Sequence, residues 1–181
     1  VEGALSDPPM CQPLVSPGDK LEVCDNGLDD NCNGIVDECN CVPVSSTPRF
    51  VNPFGTDSGD CSSNGSACST IAYAITQALA GDTIVISAGT YLESLITVNK
   101  NLHIFGQGQA VSIVDANDTG NVFIVNTGIT ASFCGLTVTD GRAPGGSNGG
   151  GFLLNGTSIV TITDSTISSN VGTLGGGINV N

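Results

Sequence analysis

From Ile84 onward the chain repeats one small unit: two apolar residues separated by a single position, then turn-forming residues, then another pair. The pairs are Ile84/Ile86, Ile96/Val98, Leu102/Ile104, Val111/Ile113, Val122/Ile124, Leu136/Val138, Phe152/Leu154, Val160/Ile162 and Ile178/Val180. Alternate residues of a strand point to the same side, so each pair predicts a short strand that sends two side chains into a core. Gly, Asn, Asp, Ser and Thr fill the gaps and predict turns. Just upstream the period changes. Ile71, Ala74, Ile75, Ala78 and Leu79 stand at helical spacing, with Ser69 or Thr70 to cap the start and Gly81 after the end. This predicts one amphipathic helix over 69–80.

The strand units recur at longer range. The segment 133–141 aligns with 162–170, and 150–155 with 176–181, at offsets of 29 and 26 residues. A period of that size built from short strands points to a solenoid. An amphipathic helix ahead of the first strand suits such a fold, because the first coil otherwise presents an open edge.

At these residues the chain resembles a known family. Cys68-Ser-Thr-Ile-Ala-Tyr-Ala-Ile, Gly81-Asp-Thr-Ile-Val-Ile, Ala88-Gly-Thr-Tyr and Asn99-Lys-Asn-Leu-His-Ile-Phe-Gly106 are similar to the entry into a pectin-lyase-like right-handed parallel β-helix. Ile167-Ser-Ser-Asn170 and Gly175-Gly-Gly-Ile178 resemble repeats of bacterial surface proteins. The resemblance implies an all-β fold over 68–181: a right-handed parallel β-helix of about four coils, capped by the amphipathic helix. Residues 43–67, rich in Pro, Ser, Gly and Asp, read as a linker or arm. Strand pattern runs to Asn181 with no cap after it, so the solenoid is expected either to continue or to be covered by another copy, end to end.

Charge and cysteine change the picture at the other end. The chain of 181 residues has 17 Asp and Glu against 4 Lys and Arg, a net charge of −13. So few cations cannot neutralise a phosphate backbone, which excludes nucleic acid and disfavours anionic membranes. No apolar run is long enough to insert in a membrane. Seven of the eight cysteines lie in the first 68 residues, and such density favours disulfides in an oxidising compartment. Cys24–Cys32 and Cys61–Cys68 are the short closures expected, while Cys134, in an apolar strand, reads as a free buried thiol. These features lead us to expect an extracellular or cell-surface location, and the resemblance implies a bacterial source.

Residues 1–42 form the Cys-rich acidic segment. Within it, Asp29, Asn31 and Asn33 stand at alternate positions, Gly34 follows, and Asp37 comes four residues after Asn33. A calcium ion takes six to eight oxygen ligands, and a tight loop supplies them from alternate side chains, a backbone carbonyl and a later oxygen. The expected ligands are Asp29, Asn31, Asn33, the Ile35 carbonyl and Asp37, with Asp25 as a further donor. An EF-hand's bidentate Glu is missing, since its position is held by Asn40. The pattern resembles dockerin-like loops and the short MopE-like metal-binding motif of secreted bacterial proteins. Oxygen-only donors favour calcium over copper, and such an ion would fold a segment too small for its own core. The same residues also suit a solvated turn pinned by disulfides.

The resemblance to polysaccharide lyases raises the question of catalysis. The solenoid offers only Lys100 and Arg142 as bases, and Asp115/Asp118 or Asp140/Asp164 as carboxylate pairs for hydrolysis. His103 sits between Leu102 and Ile104 and is expected to face solvent. A net charge of −13 would also repel polyanionic substrates. The leading expectation is a non-enzymatic extracellular structural protein with a structural calcium site. It would serve as a scaffold, adhesin stalk or filament subunit, with a cell-surface glycan as a further partner. The alternative is a polysaccharide-active β-helix enzyme, or a fragment of one.

Overall fold

A three- to five-residue strand with one apolar side cannot bury that side alone, and in the computed structural model the strands bury it by stacking in parallel. The structure describes residues 47–143, 145 and 148–181. The first sheet holds β1 (Arg49–Val51), β2 (Thr83–Ile86), β5 (Leu102–Gly106), β8 (Thr130–Cys134) and β11 (Ile159–Thr163), in that order. The second holds β3 (Gly89–Leu92), β6 (Ser112–Asp115), β9 (Thr137–Thr139) and β12 (Thr166–Ser168). The third holds β4 (Ile96–Val98), β7 (Phe123–Val125), β10 (Phe152–Leu154) and β13 (Ile178–Val180). Every pairing is parallel. From β2 the chain visits the three sheets in the same order four times.

Register stacks like residues into columns. Ile84, Ile104, Phe133 and Ile162 are aligned in the first sheet. Tyr91, Val114, Val138 and Ile167 are aligned in the second, and Ile96, Phe123, Phe152 and Ile178 in the third. All of these except the last-circuit residues are buried in one shared core. At its centre Phe123 and Phe152 stack at 5.3 Å, and Phe133 meets both edge-on at 4.9 Å.

Two of the predicted pairs have the wrong phase. In β6 the inward residues are Ser112 and Val114, not Val111 and Ile113, and Val111 is exposed. In β7 they are Phe123 and Val125, with Ile124 turned outward. Both segments are continuous or near-continuous apolar runs, in which a period of two fits either phase. Ser112 is tolerated inside because its hydroxyl accepts the Gln107 N–H (3.0 Å) and reaches the Ile86 and Ser87 carbonyls (3.3 Å each).

The three-turn helix predicted over 69–80 is not there. A seven-residue helix, α1 (Ile71–Gln77), occupies the centre of that stretch and buries Ile71, Ala74 and Ile75 against β1, β2 and β4. Its start is held by the Thr70 hydroxyl, which accepts the Tyr73 N–H, and by Glu93, whose carboxylate accepts Ile71 N–H (2.7 Å) and Ala72 N–H (3.0 Å). Its end comes early because Ala78 is extended, and the next N–H, that of Leu79, goes to the Asp82 carboxylate at 2.8 Å. Inside the stretch expected as a linker, Arg49–Val51 forms β1 against β2, with Val51 fully buried.

One turn shows why glycine recurs. Between the first and second sheets Gly106 and Gly135 lie one above the other. A Cβ on Gly106 would stand 2.4 Å from the Gly135 carbonyl oxygen, and Gly135 has φ +68°. A side chain at either position would force adjacent circuits apart.

Candidate functional site

The residues singled out for metal, Asp25, Asp29, Asn31, Asn33, Ile35 and Asp37, lie outside the described residues, as do Cys24 and Cys32. The remaining candidates are placed. Cys61 and Cys68 form the expected disulfide. Cys134 is buried, as expected, but it is not a free thiol: it is disulfide-bonded. An apolar strand context marks burial equally for a thiol and for a half-cystine, so the sequence around Cys134 could not separate them.

Each group considered for catalysis in the strand region already has a structural partner. The Lys100 ammonium donates to the Ile75 and Ala78 carbonyls at 3.0 and 2.9 Å, capping the C-terminal end of α1 where a cation is favourable. Arg142 pairs with Asp118 through Nε (3.2 Å) and Nη2 (3.1 Å), both side chains about half exposed, so the pair adds little stability. Asp115 accepts the Asn117 N–H at 2.7 Å, a local turn contact. The Asp118 N–H donates to the Asp140 carbonyl (2.8 Å), and Asp140 accepts the Thr139 hydroxyl (2.8 Å).

The backbone supplies the reason these acids stand where they do. Asn117, Asp118, Asp140 and Asp164 have φ of 47°, 58°, 53° and 42°. Among non-glycine residues, Asn and Asp are enriched in that left-handed region. Turn geometry therefore accounts for the residue type at these four positions.

His103 does face away from the core but is half-buried rather than fully exposed, and its Nδ1 lies 2.7 Å from the Ser132 hydroxyl of the next circuit. Among the described residues, no three His, Cys, Asp or Glu side chains come together in a way that could hold a metal ion.

A further charged group went unnoticed in the sequence. Arg49 in β1 and Asp82 before β2 form an ion pair at 3.4 Å, with side chains 13% and 6% exposed. Asp82 also accepts the Thr47 hydroxyl (2.6 Å) and the Leu79 N–H. Burial works to raise its pKa, but these hydrogen bonds and the guanidinium outweigh it, and the carboxyl is held below the ordinary aspartate value. Asp57 is lowered in the same way, burial being outweighed by hydrogen bonds from Thr70 and Ser69. Glu93 is the opposite case. Burial dominates and raises its pKa, two helix N–H groups offset this in part, and nearby Asp57 adds to it. A lone Arg among prolines and serines gives no pattern from which such a pair could be read.

Residues 12–38 match the family model Cu-binding MopE, described as "Putative metal-binding motif". The segment carries a metal-binding motif. It includes all six oxygen donors selected above, Asp25 through Asp37. Comparison of the chain with curated proteins and with solved structures returns no match.

Proposed function

We propose that this protein is an extracellular scaffold in which residues 12–38 hold a structural calcium ion, and in which the three parallel sheets of residues 47–181 are the faces of a right-handed parallel β-helix. The observation that carries the metal half is the coincidence of the matched motif with oxygen donors at alternate positions, Asp29, Asn31 and Asn33, completed by Asp37. Every side-chain donor in that set is a hard oxygen, which favours calcium over copper. The fourfold passage through the sheets in constant order supports the β-helix.

A non-catalytic role is supported by the way the solenoid's cations and turn carboxylates are already engaged. Export is supported by the disulfide-bonded state of Cys61, Cys68 and Cys134. The scaffold would stand at the surface of a bacterial cell, where it can meet glycan or protein partners.

Calcium binding by the full chain tests the proposal. Isothermal titration is expected to show calcium binding, with affinity falling by at least about tenfold in Asp29→Ala/Asp37→Ala, since even outer-shell losses at metal sites cost about 10–100-fold. Copper(II) should bind more weakly at this site. Equal calcium affinity in the wild type and the double variant would remove the assignment.

A further inference from the structure

Among the described residues, three asparagines are followed directly by glycine: Asn64-Gly65, Asn148-Gly149 and Asn155-Gly156. Asn26-Gly27 and Asn33-Gly34 lie outside the described residues. In such a pair the backbone nitrogen of the glycine can attack the side-chain carbonyl of the asparagine, and glycine has no Cβ to hinder the approach. The reaction needs a glycine N–H that is not held elsewhere, open space beside the glycine, and a turn that can let the asparagine side chain swing over it.

The fold separates the three pairs on these grounds. The Gly149 N–H donates to the Leu174 carbonyl at 3.3 Å, the glycine is buried, and a Cβ there would stand 2.3 Å from the Phe152 carbonyl oxygen. The Gly156 N–H donates to the Asn181 carbonyl at 3.2 Å, and a Cβ there would stand 2.8 Å from the Thr127 side chain. The Asn155 side chain is itself half-buried, its Oδ1 accepting from Asn181 Nδ2 at 3.5 Å. Asn64-Gly65 differs on each count. Both residues are exposed, and the nearest atom to a Cβ on Gly65 would be Ser63 Oγ at 4.0 Å. They lie in a single 3₁₀ turn, Asn64–Ser66. Such a turn bonds an N–H to the carbonyl three residues back. Here that bond runs from the Ser66 N–H to the Ser63 carbonyl (3.1 Å), and the Ser63 hydroxyl accepts the same N–H (3.2 Å). The Gly65 N–H comes one position too early to share in it. An isolated exposed turn of this kind opens at low cost.

We propose that Asn64 is a site of spontaneous, enzyme-free modification, its side-chain amide converting to a carboxylate while the fold protects Asn148 and Asn155. The Gly65 nitrogen forms a bond to the side-chain carbonyl carbon of Asn64. The bond from that carbon to Nδ2 breaks, and the nitrogen leaves as ammonia, carrying the proton released from the Gly65 N–H. The cyclic imide so formed adds one water at either carbonyl and opens to an aspartate or an isoaspartate. Nothing is oxidised or reduced, and water is the only co-reactant. The new charge joins Asp57 and Asp60 in an already acidic stretch. An isoaspartate also reroutes the main chain inside the loop closed by the Cys61–Cys68 disulfide. That loop holds β1, since Phe50 N–H donates to the Cys61 carbonyl (2.8 Å) and Cys68 N–H to the Phe50 carbonyl (2.9 Å). The proposal stands on the geometry of the three turns and is independent of metal binding.

Incubation of the full chain at mildly alkaline pH, followed by peptide mass spectrometry of each Asn-Gly pair, tests it. In the native protein the Asn64 peptide is expected to convert first, as a doublet of aspartate and isoaspartate forms, while the Asn148 and Asn155 peptides stay unchanged. In the reduced, urea-unfolded chain the three pairs should convert at similar rates, because the difference between them belongs to the fold. Gly65→Ala, which has room for its methyl group, should slow the native conversion severalfold with unchanged circular dichroism. Asn64→Gln should abolish the product. Native conversion of Asn148 or Asn155 as fast as that of Asn64 overturns the proposal. So does an Asn64 that stays intact in the native chain over the time in which the unfolded chain converts.

Discussion

Phe133→Ala is expected to lower the stability of the protein by about 3–5 kcal/mol, the usual cost of truncating a buried aromatic residue to alanine. Phe133 is fully buried and stands in the column Ile84–Ile104–Phe133–Ile162 of the first sheet. Its ring meets Phe123 and Phe152 of the third sheet edge-on at 4.9 Å. These contacts tie two sheets together across the core, and edge-to-face pairs of this kind contribute about 0.5–1.5 kcal/mol beyond burial. Circuits above and below fix the positions of the flanking strands, so the space left by the ring cannot collapse and the cavity term stays large. The column is built from backbone ladders that alanine leaves intact, so the loss should appear as a lower urea midpoint with unchanged strand content. Phe133→Leu, which keeps much of the volume, should cost clearly less. Equal stabilities of the alanine variant and the wild type would mean that the three rings do not form the core.

Asp82→Ala is expected to cost about 3–5 kcal/mol, the range for removing one partner of a buried ion pair. The substitution leaves the Arg49 guanidinium, 13% exposed, with only the exposed Asp60 carboxylate at 4.0 Å, and Arg49 Nε already has no hydrogen-bond partner. It also releases the Leu79 N–H and the Thr47 hydroxyl. Because Arg49 belongs to β1, the loss should loosen that strand before the others, and hydrogen exchange at Phe50 and Val51 should rise first. The same residue predicts a pH dependence. The folded-state pKa of Asp82 lies below its unfolded value. Its stabilisation is therefore fully present above the ordinary aspartate pKa of about 3.9, and is lost as pH falls through the depressed folded value. Asp57 has the same sign. Glu93 has the reverse: with its pKa raised, its contribution is present at low pH and is lost as pH rises through the folded value. The wild type should thus lose stability steeply below about pH 4, and Asp82→Ala should show a shallower acid limb.

The apolar alternation of Ile84/Ile86, Ile96/Val98 and Leu102/Ile104 was enough to place those strands and their inward faces, because polar or outward residues interrupt each pair. The 29- and 26-residue offsets likewise matched the observed registers Phe133↔Ile162 and Phe152↔Ile178. Where the pattern failed, the cause is local. The run Val122-Phe-Ile-Val125 is apolar in both phases, and burial alone cannot choose between them. Ala78 and Leu79 have helical spacing but fall outside α1, because the Asp82 side chain captures Leu79 N–H from three residues further on. That contact belongs to tertiary structure, as does the Arg49–Asp82 pair, and neither leaves a periodic trace. The metal motif was legible for the opposite reason. Its signal is the spacing of Asp29, Asn31, Asn33 and Asp37 within one short stretch of sequence, and the family match spans that stretch. Asp118, Asp140 and Asp164 stand at left-handed backbone positions, a turn requirement that in sequence looks the same as a carboxylate pair.

The proposed oxygen-ligated ion would fold the N-terminal segment while the parallel sheets stand without it. Limited proteolysis of the full chain, with calcium and with a chelator, tests this most directly. The predicted result is rapid cleavage within residues 20–42 only when calcium is removed, with the fragment containing residues 47–181 resistant in both conditions. The same cleavage pattern and rate with and without calcium would contradict it.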